Sequence, residues 1–132
     1  MQVEPIPLSW IKRVVSILKE GHPGKIEWTI KAETDWQIFG LEQEAYPFLI
    51  EHLTEPNVIG QKVVGMLDKK DHTPTDCWAF LCRHPWGSPN PIYAKIGLHH
   101  EKIRINLFSL HVDDGSKKLE KALKAYRKRH TL

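Results

Sequence analysis

Long apolar runs, cysteines and low-complexity tracts are scarce or absent in this sequence of 132 residues. No segment approaches the roughly 18 consecutive apolar residues that a membrane span needs, and residues 1–7 lack the apolar run of a secretion signal. We therefore expect no membrane partner and a cytoplasmic location. The two cysteines, Cys77 and Cys82, are too few for a disulfide framework. Their odd separation would put them on opposite faces of one strand, and we expect both to be reduced core residues.

The charge of the chain is modest overall but unevenly distributed. Apolar residues make up 41% of the sequence and charged residues 27%, a balance typical of a single folded domain rather than a disordered chain. The net charge is only +3, yet residues 117–129 contain seven Lys or Arg against one Glu. Such a cluster predicts an acidic partner, either a nucleic acid or an acidic protein segment.

Hydrophobic periodicity separates helical segments from strand segments. Residues 8–57 are expected to be mainly helical, residues 58–112 to form an antiparallel sheet, and residues 116–130 to form a basic C-terminal helix. Within the first part, the pattern predicts helices at 8–20, 33–39 and 42–53. The sequence therefore predicts one α+β domain over residues 1–132, a small antiparallel sheet with N-terminal helices packed on it and an additional helix at the end.

A hairpin over residues 91–111 is the most informative part of the predicted sheet. In its first strand apolar residues alternate with Tyr93, Lys95 and Gly97, so Tyr93 and Lys95 share the open face. His111 ends the second strand, where strict alternation puts it on the core face together with Ile105. A bulge or the end of the strand would free it for the open face.

Further cations are candidates for contacts with a phosphate backbone. Arg83 ends a central strand and would hold either a loop or a phosphate. The candidates for RNA binding are Lys62, Arg104, Lys117, Lys121, Lys124, Arg127 and Lys128. Solvation of a helix face and the helix macrodipole are the alternative explanation for the basic residues near the C-terminus. Trp86, in the proline-rich turn 85–91, is a candidate exposed surface for stacking.

The histidines do not indicate a metal site. The closest group, His84 with His99 and His100, lacks the spacing of a known zinc site, and neighbouring residues at a hairpin turn point to opposite sides. We expect neither a metal nor a cofactor.

Several short segments, in order along the chain, resemble the motility quorum-sensing regulator (MqsR) family of toxins, a branch of the RelE-like ribonuclease toxins. They are Leu8-Ser-Trp-Ile-Lys-Arg-Val-Val, Phe39-Gly-Leu-Glu, Leu53-Thr-Glu, Trp78 with Arg83 five positions on, Ile92-Tyr-Ala-Lys-Ile and Ser109-Leu-His. Together they extend from Leu8 to His111, and the basic C-terminal helix is an extension beyond them.

The resemblance implies a RelE-like fold and a toxin of a type II toxin-antitoxin system, neutralised by a cognate antitoxin. It also implies a metal-independent endoribonuclease, or mRNA interferase, that cleaves RNA by attack of its own 2′-hydroxyl. The tyrosine and the cation that such toxins use would be Tyr93 and His111. With Lys95 and Arg83, the cations proposed from their positions in the predicted sheet, they form the expected catalytic set, since an imidazole can act as acid or base and cations stabilise the charged transition state.

A second hypothesis belongs to another functional class. Family members place a glutamine after the tryptophan, and this chain has Ala79 there. That difference favours a non-catalytic module that binds nucleic acid or a protein through the basic C-terminal helix. Such a module would bind RNA with a steep salt dependence and would not cleave it.

Overall fold

The computed structural model of the protein describes residues 1–113 and 117–130. Within these ranges the chain forms four α-helices and six strands, which confirms the predicted α+β class. In chain order they are β1 (Glu4–Pro5), α1 (Leu8–Glu20), β2 (Ile26–Trp28), α2 (Ile30–Trp36), α3 (Glu42–Leu53), β3 (Ile59–Val63), β4 (Thr75–Cys82), β5 (Ile92–His99), β6 (Ile105–Val112) and α4 (Lys118–Arg129). Not one of the helices in the described part is long and apolar enough to cross a membrane.

The strands form one open sheet in the order β1-β3-β4-β5-β6-β2. Neighbours are antiparallel except that β2 runs parallel to β6, pairing Ile26 with Ile105 and Trp28 with Leu107. The middle of the sheet thus comes from the segment predicted to be a sheet. Both edge strands come from the N-terminal part of the chain.

The helices agree with the sequence prediction to different degrees. The predicted bounds of α1 and α3 are confirmed, and Gly21 ends α1 in the left-handed conformation. In contrast, α2 begins at Ile30 rather than at residue 33. The reason is Thr29, whose side-chain oxygen accepts a hydrogen bond from the backbone N–H of Ala32 at 3.2 Å and so caps an earlier start.

The two faces of the sheet have different coverings. Trp78, Phe80 and Cys82 of β4 face the main core, which they share with the buried residues of α1, α2 and α3. The alternate residues of β4, including Cys77, Ala79 and Leu81, point to the other side. We call these the helical face and the α4 face. The two cysteines are buried, unpaired and on opposite faces, as predicted.

Helix α4 covers only part of its face. Leu119 and Leu123 are buried in a small cluster with Ala79, and Leu81 and Tyr93 pack against that cluster. Ser116, the first residue of the predicted helix 116–130, lies outside the described residues. The basic helix is therefore an integral layer of the fold, and it leaves the rest of the α4 face for a site.

Candidate functional site

A β-bulge determines which side chains share the α4 face. Across β5 and β6, Tyr93 pairs with His111 and Lys95 with Ser109, but the next pair is Ile96 with Leu107. The extra residue on β6 reverses the alternation of the strand at that point. His111 therefore lies on the α4 face beside Tyr93, and the position that strict alternation predicts for it is wrong. The alternative considered from the sequence, a bulge, is confirmed.

Tyr93 and His111 form a stacked pair of rings. Their centroids are 5.3 Å apart and the ring planes differ by 22°. The Nδ1 atom of His111 lies 3.0 Å from the carbonyl oxygen of Val112. Because a carbonyl only accepts hydrogen bonds, Nδ1 carries the hydrogen, which leaves the lone pair of Nε2 in the neutral ring available to a ligand.

The phenol of Tyr93 is held in its neutral form. Burial raises its pKa, and the negative charge of Asp113 raises that pKa further. At neutral pH the side chain therefore donates a hydrogen bond from its hydroxyl and is not a base.

Lys95 lies beside this pair, between Ala79 of β4 and Ser109 of β6. Its ammonium makes no hydrogen bond or ion pair with the residues of ranges 1–113 and 117–130. Its positive charge lowers the pKa of the neighbouring Cys77 thiol, but burial dominates and raises that pKa to about 12. The thiol is therefore protonated and is not a nucleophile, and Lys95 is the cation of the site.

Together these groups suit chemistry on an anionic ester. Tyr93 supplies a hydrogen-bond donor, Lys95 a positive charge and His111 a proton acceptor that becomes a donor when protonated. Transfer at a phosphodiester needs a group that moves protons, a hydrogen-bond donor and a cation to stabilise the charged transition state.

Arg83 lies next to this group rather than within it. It is exposed, one residue beyond the end of β4, where it lines an open cleft of about 1040 Å³ between the end of α3, the loop 83–91 and α4. Leu81 also lines the cleft and is the cross-strand partner of Tyr93. The cleft and the Tyr93 group are therefore adjacent parts of one surface.

The other predicted cations fall into two groups. Lys124 and Arg127 of α4 line the cleft together with Arg83. The remaining surface cations are exposed away from it, on β3 or on the outer side of the C-terminal segment: Lys62, Lys117, Lys121 and Lys128.

Arg104, a candidate for RNA binding in the sequence, is buried in an ion-pair cluster in the structure. It is buried, with Nε 3.0 Å from Oδ1 of Asp68 and Nη2 2.6 Å from Oδ2 of the same carboxylate. Asp71 accepts a further bond from Arg104 at 3.2 Å. We therefore assign Arg104 a structural role in place of the RNA-binding role, because its guanidinium is paired and removed from the surface.

The same cluster has the composition of a metal site but not its electrostatics. Asp68, Asp71 and His99 have ligand atoms within 4.8 Å of one another. Arg104 and Lys102 already contact these carboxylates. The two cations neutralise the negative charge that would attract a metal ion. We therefore interpret the cluster as an ion-pair network that links the loop after β3 to the β5–β6 turn.

His52 of α3 is a cleft residue that the sequence did not indicate. Its ring stacks on Phe80 with centroids 5.3 Å apart and planes within 1°. Burial lowers its pKa, the charge of Glu55 opposes this, and the positive charges of Arg127 and Arg83 add to the lowering. His52 is therefore neutral. In the sequence, the helical spacing of His52 from the apolar residues of α3 is that of a core residue. Its place in the cleft is therefore visible only in the folded structure.

No protein-family model, no curated protein and no solved structure matches this chain.

Proposed function

We propose that the protein is a metal-independent endoribonuclease, the toxin of a type II toxin-antitoxin system similar to the MqsR family. The observation that carries the proposal is the Tyr93–His111 ring pair beside Lys95, which the bulge in β6 brings to one face of the sheet. The order of segments that resembles the family includes both strands of this pair.

In the proposed reaction, the 2′-hydroxyl of one nucleotide attacks the adjacent phosphate and releases the 5′-hydroxyl of the next nucleotide. Nε2 of His111 takes the proton from the 2′-hydroxyl as the new P–O bond forms. The 5′-oxygen that leaves takes a proton from water, and His111 afterwards returns its own proton to the solvent. Lys95 balances the charge that develops on the phosphate oxygens, and the neutral Tyr93 phenol orients one of them by a hydrogen bond. The products are a 2′,3′-cyclic phosphate and a 5′-hydroxyl end.

The architecture also supports this proposal at the level of the fold. A RelE-like toxin implies an antiparallel sheet with helices on one side and the site on the other, and the helical face and the α4 face are arranged in this way. Arg83 at the margin of the site would hold the phosphate backbone. As a toxin the protein would act on cytoplasmic mRNA and would have a cognate antitoxin as its partner.

The test is incubation of the purified protein with a long RNA in EDTA, followed by identification of the fragment ends. We expect 2′,3′-cyclic phosphates from the parent protein and a loss of at least a hundredfold in rate for His111→Ala, since a positioned acid or base contributes roughly 10²–10⁴-fold. Lys95→Ala should also lose activity. The matched controls are His100→Ala and Lys12→Ala, which remove exposed side chains elsewhere.

A non-catalytic RNA-binding module is the second candidate, favoured by the exposed cations of α4 and the adjacent cleft. It predicts that RNA stays intact in the same experiment but is retarded on a gel. Cleavage that is undiminished in the double variant K95A/H111A would instead reject this site.

A further inference from the structure

The cleft beside the Tyr93 group has the properties of a binding site in its own right. Its cavity of about 1040 Å³ is bounded by the end of α3, the loop 83–91 and α4. None of the three predicted catalytic side chains on the sheet, Tyr93, Lys95 and His111, lines it. A ligand in the cleft would therefore contact different residues from those that carry the proposed reaction.

Cations outnumber anions on the wall of the cleft. Arg83, Lys124 and Arg127 line it, and the acidic residues there are Glu55 and Glu120. Glu120 lies 3.8 Å from Lys124, one helical turn away, in an exposed ion pair of small energy. Arg83 makes no hydrogen bond or ion pair with the described part of the chain. The cleft therefore presents at least one unneutralised guanidinium to a ligand.

An aromatic cluster stands at the rim of the cleft. Trp86 is 66% exposed and packs on Phe39 with ring centroids 4.8 Å apart. His84 lines the cleft and contacts both of these rings, at 5.2 Å from Phe39 and 5.8 Å from Trp86. An exposed indole supported from below by other rings offers a free flat surface.

The loop that carries this cluster is held in place before any ligand arrives. The N–H of Trp86 donates to Nδ1 of His84 at 3.1 Å, and the N–H of Gly87 donates to the carbonyl oxygen of His84 at 3.0 Å. Three prolines in the loop 83–91 restrict its backbone further. A ligand would therefore lose little free energy to ordering of the loop.

We propose that this cleft binds single-stranded RNA next to the cut site, with an unpaired base stacked on Trp86 and backbone phosphates held by Arg83, Lys124 and Arg127. A positive groove bordered by an exposed aromatic ring is the arrangement by which proteins bind single strands, since the ring stacks on a base and the cations follow the backbone. The inference deepens the proposed function and depends on it for the identity of the polymer.

The position of the cleft agrees with a substrate that continues from one site into the other. Leu81 lines the cleft and pairs with Tyr93, and Arg83 lies two residues further along the chain. Two residues of extended chain span roughly 7 Å. The same strand of RNA can therefore contact both sites.

The experiment measures binding of a short fluorescent 2′-O-methyl RNA to the full-length chain by anisotropy, because this RNA cannot undergo 2′-hydroxyl attack. We expect Trp86→Ala to weaken binding roughly tenfold, with Trp86→Phe retaining most of the affinity. In Arg83→Ala and Lys124→Ala, the slope of log Kd against log salt should fall by about 0.7 for each phosphate contact removed. Glu120→Gln should bind more tightly, because it removes a negative charge from the wall.

The control is Arg13→Ala, which removes an exposed arginine from α1 on the helical face and should leave the affinity unchanged. A duplex of the same sequence should bind more weakly, since its bases are not free to stack. Unchanged affinity in Trp86→Ala would overturn the inference. If a polyglutamate peptide then bound the parent protein and bound Arg83→Ala and Lys124→Ala more weakly, the ligand of the cleft would be an acidic protein segment instead.

The two proposals fail separately. Cleavage of ordinary RNA by the parent protein, together with unchanged binding in Trp86→Ala, would leave the endoribonuclease and remove the cleft. Absence of cleavage, together with weakened binding in Trp86→Ala and not in Arg13→Ala, would remove the endoribonuclease and leave the cleft as a site for single strands. Thermal melting of each variant shows whether a loss of binding comes from loss of the fold.

Discussion

Buried charge is the most consequential feature of this protein at the scale of single residues. The carboxylate of Asp68 is fully buried, and burial alone would raise its pKa. Hydrogen bonds from Arg104, from Asn106 and from backbone N–H groups overcome this effect and hold the pKa well below its usual value. Asp68 is therefore ionised, and its charge is stabilised mainly by Arg104.

Replacing Arg104 should consequently be severe. Arg104→Met leaves a buried carboxylate without its counter-ion, and we expect a loss of about 3–5 kcal/mol in the free energy of unfolding. Urea denaturation measures it. The control is Lys102→Met, which removes an exposed partner of the same cluster, 3.3 Å from Asp71, and should cost less than about 1 kcal/mol. Equal losses in the two variants would contradict the structural role of Arg104.

The environment of His52 predicts how the stability of the protein depends on pH. Its pKa is lowered in the fold, mainly by burial, from an ordinary value of 6.5. As the pH falls below about 6.5, the unfolded chain binds a proton that the folded chain does not, so the folded state loses stability. We expect the free energy of unfolding to decline from about pH 7 to about pH 5 and to decline less steeply in His52→Gln. Parallel pH profiles for the two proteins would show that His52 does not titrate in this way.

The sequence could locate Tyr93 and Lys95 but not His111 or Arg104, and the reason is physical. Alternation along a strand is a local property, so the face that Tyr93 and Lys95 share was predictable from their neighbours. The face of His111 depends on the pairing of β6 with β5, where one extra residue changes the register. The partner of Arg104 lies 36 residues away in the sequence, and no local pattern identifies it.

At the scale of elements, helices were predicted better than strands. The apolar stripes of α1 and α3 and the glycine after α1 fix their ends by local interactions. The parallel pairing of β2 with β6 joins segments almost 80 residues apart in the chain, and β2 lies within the part of the chain that the sequence predicted to be mainly helical. The hydrophobic periodicity of the sequence therefore did not predict which distant strands pair.

Helix α4 is attached to the sheet more weakly than the other helices are. Only Leu119 and Leu123 of the described helix are buried, and they belong to a cluster much smaller than the main core. Regions with few buried apolar contacts open at lower free energy than the rest of a protein. We expect amide hydrogen exchange in α4 to be much faster than in β4 and β5, and faster still in Leu123→Ala. Exchange in α4 as slow as in β5 would mean that α4 opens only with the whole fold.

At the scale of the whole molecule, the sheet separates two functions of the chain. The helical face contains the main core and supplies most of the buried apolar surface. The α4 face carries the Tyr93 group and the basic helix with one small apolar cluster between them, and the cleft opens at the margin of this face, between α4, the loop 83–91 and the end of α3. Substitutions in the proposed sites therefore change few contacts of the main core, which makes the variants described above practicable as tests of function.

The pairing of β2 with β6 also constrains how the protein is made. Residues 26–28 find their partner strand only at residues 105–107, and the main core likewise joins apolar residues of α1 and α3 to β4, β5 and β6. Domains are synthesised from the N-terminus at roughly 5–20 residues per second, so the first three helices emerge seconds before the strands that cover them. We therefore expect the complete sheet to form only after residue 107 has left the ribosome, and the apolar residues of these helices to lack their partner strands until then.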